Sequence, residues 1–333
     1  MTDSAATGGS INTTTASILI SKFTLTVLLL CGLVHGQAGV VNSTQNAQQI
    51  ALLHWYQAGS VAHFPVGNRP VALAYDGENI WVANAFSDTV TVLRASDGGL
   101  VINIPTGPSP SGLAYDGANV WVTQFGSNNV IKVQASNGTV LGTFLTGSGP
   151  QAVAYDGANV WVTNGFSSNV SKLRGSDGAN LGVFSVGSDP IGVAFDGSAI
   201  WVANHGSNSV TKLRASDGAL LGTFPVGTQP VSLAFDGANI WVTNEGSNTV
   251  TKLRAGNGAT LGTFSVGTGP YGLAYDGANI WVANDGSSTV TELRASNGAR
   301  LGTFAVGSFP FGVAFDGANI WVANGVSNTV SKL

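Results

Sequence analysis

Charge is scarce in this chain. Asp, Glu, Lys and Arg together make up 9% of its 333 residues, far fewer than the outer faces of a helix-rich soluble protein require. The net charge of −4 supplies no basic excess, which argues against a nucleic-acid partner. Cysteine is limited to Cys31, so an intramolecular disulfide is excluded and stability must come from packing. An apolar run, Phe23–Val34, has twelve residues and is too short for a comfortable membrane span, so no stable span is expected.

That run instead suits the central region of a signal peptide. Lys22 precedes it, and Gly36-Gln37-Ala38 offers a small-x-small cleavage site. The long segment before it, with Asp3 and a single basic residue, is unlike an ordinary signal. An uncleaved anchor or a mis-assigned start are the alternatives. The reading taken is export, with residues 1–38 as the export segment and a secreted, periplasmic or cell-surface location. Residues 39–60 form a linker in which Thr44 caps a short helix and IALLHWYQ presents apolar surface.

What is abundant is glycine, 46 residues, and a strict repeat. Tryptophan occurs at 81, 121, 161, 201, 241, 281 and 321, always 40 residues apart. Proline keeps the same phase from Pro70 to Pro310, as does Asp-Gly from Asp76 to Asp316. Each unit has four strand-like runs, a to d. In the fifth copy these are Ser232–Phe235, Ile240–Asn244, Thr249–Ala255 and Leu261–Val266. Asp236-Gly237 and Asn257-Gly258 are tight-hairpin dipeptides between a and b and between c and d. Four antiparallel strands per 40 residues is the period of propeller blades, the WD-like architecture. No 3.6-residue apolar period competes with it.

The seventh copy stops at Leu333 after strand c, yet Val61–Gly67, VAHFPVG, aligns with Leu221–Gly227, LGTFPVG. The sequence therefore predicts an all-β fold: a seven-bladed β-propeller of four-stranded antiparallel blades over 61–333, closed by an N-terminal strand that completes the last blade.

The phrases IWVAN and IWVTN, followed by GSNTV and FxVGxxP, resemble YVTN-type β-propeller repeats and the broader class of NHL repeats and streptogramin lyases. The resemblance covers 61–333 and implies the propeller fold. For function it implies a range, since that class contains binding scaffolds, surface-layer proteins and enzymes. Its lyases use histidine and glutamate with a divalent cation at the propeller mouth. Here the histidines are His35, His54, His63 and His205, and only the last two lie in the propeller, without forming a pair. The lyase chemistry therefore does not carry over residue by residue.

Positions identical in every copy read as blade requirements. The seven Trp are expected to pack between blades, and the seven turn Asp to hold their own turn backbone. Ten of the thirteen basic residues lie on strand c, among them Lys132, Lys172, Lys212, Lys252, Lys332 and Arg254, and read as a solvated outer belt. Ser331-Lys332-Leu333 resembles a peroxisomal address, but Ser171-Lys172-Leu173 shows that the repeat explains it.

The d–a and b–c loops share the face opposite the Asp turns, and there the copies diverge. The candidate ligand-binding residues on that face are Arg69, Phe125, Gln151, Asp189, His205, Gln229, Glu245, Tyr271, Asp285, Phe309 and Phe311. His205, Glu245 and Asp285 occupy one column in three consecutive blades. At a sheet spacing of about 10 Å they start too far apart to share a metal or to form an easy dyad. No metal, cofactor or catalytic residue is assigned. Unbroken 40-residue spacing, without an inserted loop or nucleophile motif, favours a monomeric binding or scaffold propeller with a protein or glycan ligand. The alternatives are a lyase or hydrolase using a divalent cation at the mouth, and a structural surface-layer component.

Overall fold

The computed structural model describes residues 61–333; the export segment, linker and short helix expected from the sequence lie outside the described residues. Alternating apolar residues punctuated by Asp-Gly and Asn-Gly turns fold as the repeat predicts. Seven four-stranded antiparallel sheets form, each ordered a-b-c-d. In the fifth blade the strands are Pro230–Phe235, Asn239–Asn244, Thr249–Arg254 and Thr260–Ser265. Strand a begins two residues earlier than its apolar pattern because Pro230 pairs with Asn244 ahead of a register shift. Among the described residues no helix is long and apolar enough to cross a membrane.

Strands a of neighbouring blades line the centre, where four blades carry glycine at the second position after proline, and at Gly192 the fit requires it. A Cβ on Gly192 would stand 2.4 Å from the Val231 carbonyl oxygen of the next blade. In the seventh blade, Ala62–Pro65 pairs antiparallel with Thr329–Lys332, matching His63 with Ser331 and Phe64 with Val330. Phe64 packs on Trp321 with ring centroids 5.5 Å apart. Phe264 on the outer strand of blade five meets Trp241 at 5.6 Å in the same way. The N-terminal strand thus occupies the outer position of its sheet and supplies the same aromatic.

The core sits in the seams between blades. Trp81 packs with Val90 and Val92 of its own blade and with Val120, Val122, Ile131 and Val133 of the next. Six of the seven Trp are essentially sealed from solvent; Trp281 is partly buried. Each indole N–H donates to the Asp of its own a–b turn at 2.7–2.8 Å. The other carboxylate oxygen closes the turn. Asp236 Oδ1 accepts from the backbone of Ala238 and Asn239, as expected of a turn Asp.

The lysines of strand c are not a solvated belt. Lys132, Lys172, Lys212 and Lys252 are buried. Strand c pairs with strand b so that Lys252 lies directly opposite Trp241. Its ammonium sits 4.9 Å from the indole centroid, donates to Ala295 O of the next blade at 2.7 Å, and lies 4.0 Å from Asp236. Lys332 closes the ring the same way, donating to Ala95 O of blade one. The strand-c arginines do face solvent: Arg94, Arg174 and Arg214 pair with Asp97, Asp177 and Asp217 of their own turns. A charge goes inward here because the ring face, the carbonyl and the turn carboxylate jointly replace its water.

Burial alone would raise the turn carboxyls of Asp116, Asp156, Asp196, Asp236, Asp276 and Asp316. The hydrogen bonds from Trp and the turn backbone outweigh it, so all six lie below the ordinary value of 3.8. The folded state therefore holds the ionised form better than the unfolded chain does. That stabilisation is complete above the unfolded value and is lost as pH falls through the native ones. Urea midpoints followed by Trp fluorescence should vary little from pH 7 to about 5 and drop steeply below about 4. Asp236→Ala should cost about 2 kcal/mol at pH 7 by stranding the buried indole N–H, and should weaken the acid sensitivity. A second expectation concerns blade six, where Glu292 replaces the lysine opposite Trp281. Burial and then the charge of Asp276 raise its carboxyl, so the pair opposes folding when both are ionised. Glu292→Lys should stabilise the protein by about 0.5–1 kcal/mol at pH 7, read as a higher melting temperature, with less gain at pH 4.

Candidate functional site

The face carrying the d–a and b–c loops surrounds a cavity of about 480 Å³ at the channel mouth. Its local backbone is uniform although its side chains are not. The residue before each proline is left-handed in all seven copies: Arg69, Ser109, Asp189, Gln229 and Phe309 have φ of 49–54°, and Gly149 and Gly269 have 66° and 62°. Blade geometry thus imposes a conformation at this column without imposing a residue type. The b–c turn locks it. Asn208 Oδ1 accepts from the Gln229 backbone at 2.8 Å, and Asn328 Oδ1 from that of Arg69 at 2.9 Å. Five non-glycine residues in this region, one a Phe and one an Arg, are unusual, because glycine would occupy it without steric cost.

The predicted residues separate into a wall and a rim. Arg69, Phe125, Gln151, Tyr271 and Phe311 line the cavity. Tyr271 meets Phe311 edge-on at 5.0 Å. Removal from bulk water pushes the Tyr271 phenol up to about 12, with the Glu245 charge adding to the shift and Arg69 opposing it. Asp189, His205, Gln229, Glu245, Asp285 and Phe309 stand outside this lining. Gln229 and Phe309 are exposed. Two aromatics escaped the sequence reading: Phe86, which lines the cavity, and Phe166, which packs behind a lining residue. The Arg69 guanidinium lies over the Phe86 ring at 4.7 Å as well as over Phe311 at 5.5 Å. Phe166 packs edge-on against Phe125 at 5.2 Å. The signal was present: the column of Phe86 and Phe166 reads Gly in four copies, so Phe there departs from the repeat.

On the rim, His205 lies between Asp189 and Glu245, the second of which the spacing argument held apart from it. Its Nδ1 lies 3.1 Å from Asp189 Oδ2 and its Nε2 lies 3.7 Å from Glu245 Oε2. Equivalent positions start far apart, but Asp189 belongs to the other loop, whose backbone carbonyl accepts from His205 N at 3.0 Å. The imidazole then reaches across to the next blade. Asp285 stays apart from this pair. Burial raises its carboxyl and Glu245 raises it further. Among the described residues no group of three His, Cys, Asp or Glu side chains converges as a metal site would require.

The left-handed column gives a measurable contrast. Phe309→Gly should leave the melting temperature unchanged or raise it, by the equivalent of up to about 1 kcal/mol, because relief of the left-handed cost opposes the entropy of a freer unfolded chain. Gly149→Ala should lower it, since φ is 66° there and the new Cβ would stand 2.9 Å from Phe166.

No protein-family model matches this chain, and no curated protein matches it. Solved structures do. A streptogramin B lyase superposes with a TM-score of 0.70 at 18% identity, over 82% of this chain and 96% of the other. The hydrazine synthase of Kuenenia stuttgartiensis superposes with a TM-score of 0.70 at 17% identity, over 89% of this chain and 99% of the other. At such identities the likeness is one of fold: this chain is a β-propeller sharing its architecture with proteins of different activity.

Proposed function

We propose that this protein is a binding propeller acting outside the cytoplasm, with a protein or glycan ligand taken at the mouth formed by the d–a and b–c loops. One observation carries the reading. Seven loops share one backbone conformation, yet the side chains they set around the cavity differ from copy to copy, while the frame beneath them repeats. Rigid scaffolds with variable loops are how folds of this kind hold recognition sites. Aromatic and polar groups are interleaved at the mouth, which suits a ligand presenting both faces. The extracytoplasmic location rests on the Phe23–Val34 run.

A second reading, a lyase or hydrolase at the same mouth, draws on the Asp189–His205 pair, an arrangement able to orient an imidazole for proton transfer. A structural similarity to a lyase is compatible with it and names no substrate for this chain.

The full chain should therefore retain glycans or secreted proteins in array and pull-down measurements. The combined variant His205→Ala, Glu245→Ala, Asp285→Ala and Tyr271→Phe should lose that binding at least tenfold while keeping its β-sheet circular dichroism. Undiminished binding in that variant removes the mouth from the proposal. A strong rise of the melting temperature with Mg²⁺ or Ca²⁺ would move weight to the enzymatic reading.

A further inference from the structure

The cavity wall narrows the chemistry of the ligand, and this inference rests on the binding reading above. We propose that the channel mouth takes a sugar acid, its carboxylate on the Arg69 guanidinium and its ring against Phe311, Tyr271 and Phe125.

Arg69 is the only charged side chain lining the cavity among the described residues. Arg94, Arg174 and Arg214 each hold a turn aspartate within 3.0 Å. Arg69 has no such carboxylate within 4.0 Å among the described residues, and its guanidinium donates no hydrogen bond to them. It is held instead by two ring faces, Phe86 and Phe311. Stacking fixes the guanidinium plane and leaves the N–H edge, the part that matches a carboxylate in a two-pronged fashion. The residue also sits at φ 53°, where blades three and six carry glycine at the equivalent place. A stacked, unpaired cation kept at a left-handed position calls for a ligand that uses it.

The rim selects among anions. Asp189, Glu245, Asp285 and Arg69 all act on the Tyr271 hydroxyl, so the three acids and the one cation share the field of the mouth. A phosphate, carrying close to two negative charges, meets more repulsion from that arc than a singly charged carboxylate does. The same acids accept hydrogen bonds, as do Gln151, Ser109 and Ser111 in the wall, and sugar hydroxyls are donors suited to them. Aromatic faces beside these acceptors suit the apolar face of a pyranose ring. A volume of about 480 Å³ lies in the range of sites for small ligands.

The test is calorimetric titration of the full chain with a panel of sugar acids: oligomers of galacturonate, glucuronate and mannuronate, and sialyllactose. Their methyl esters, inorganic phosphate and a short peptide with a free C-terminal carboxylate form the comparison arms. At least one acid should bind, and its methyl ester should bind at least about tenfold more weakly. Arg69→Gly should weaken the acid by at least about tenfold with no loss of melting temperature, since glycine already fills this position in two blades. Arg69→Lys should fall between, keeping charge without the fork. No binding by any acid at millimolar concentration overturns the proposal, as does equal binding of acid and ester or full affinity in Arg69→Gly. Tighter, Arg69-dependent binding of phosphate or of the peptide also overturns it, reassigning the anion to another class. If a neutral glycan or a protein binds through Tyr271 and His205 while every acid fails, the binding function stands and only the sugar-acid assignment falls.

Discussion

The ring rests on a contact made seven times with variations: an indole seated in the seam between two blades, tied at its N–H to an aspartate. The aspartate fixes the hairpin between strands a and b and, through Trp Nε1, the side chain that spans to the next sheet. In five blades a lysine closes the other side, over the ring and onto a carbonyl of the neighbour. One module thereby joins a turn, a hydrophobic seam and a polar bridge. A buried ammonium is tolerated because the ring face and the neighbour's carbonyls replace its water, with a turn carboxylate within 4.0 Å of Lys132, Lys212 and Lys252 as well. Where the lysine is absent, at Val92 and Glu292, the aspartate–indole bond persists and the seam closes on apolar contacts.

Much of this was legible in the sequence. Tryptophan every 40 residues, with Pro and Asp-Gly in phase, leaves few folds, and the copy of the outer strand at Val61–Gly67 marks the place of closure. The lysines were misread because single residues were judged by charge. Strand alternation with hairpin register would have corrected this: across the short b–c turn Lys252 falls opposite Trp241, so both share a buried face, whereas Arg254 falls opposite Asn239 at the sheet end. The mouth was legible only in part. Columns compare equivalent positions, and His205 meets Asp189 across two different columns. Sequence spacing carries no information on how far an imidazole reaches. The shared left-handed conformation was equally hidden, because glycine occupies it in only two copies.

Symmetry and recognition are therefore separated by depth in each unit. Strands b and c and the a–b turn, which together carry the Trp, Asp and Lys module, vary little from blade to blade. The loops that end them carry what differs. A loop is free to diverge because its backbone is held by groups other than its variable side chain. The turn Asn or Asp fixes the backbone of the residue before proline in several blades. The glycine two positions earlier fits against the Asn that ends strand b, with no room for a Cβ at Gly67 or Gly227. With those two constraints met, Arg, Gln or Ser is accommodated at the same spot, and Asp189 and Phe309 adopt the same conformation without the side-chain bond.

The magnitudes explain why such loops persist. A left-handed non-glycine residue costs on the order of 1 kcal/mol, and five occupy the d–a column. A fully buried tryptophan removes about 200 Å² from water, worth about 5 kcal/mol at about 25 cal/mol per Å², and six are sealed in the seams. The seams thus exceed the strain of that column several-fold before conformational entropy is set against either. Strain at the rim is local, since none of the left-handed residues belongs to a seam cluster, and it leaves the ring intact. A frame with this margin can hold an exposed arginine against two phenyl rings, at a backbone position glycine would relax, on the wall of the cavity.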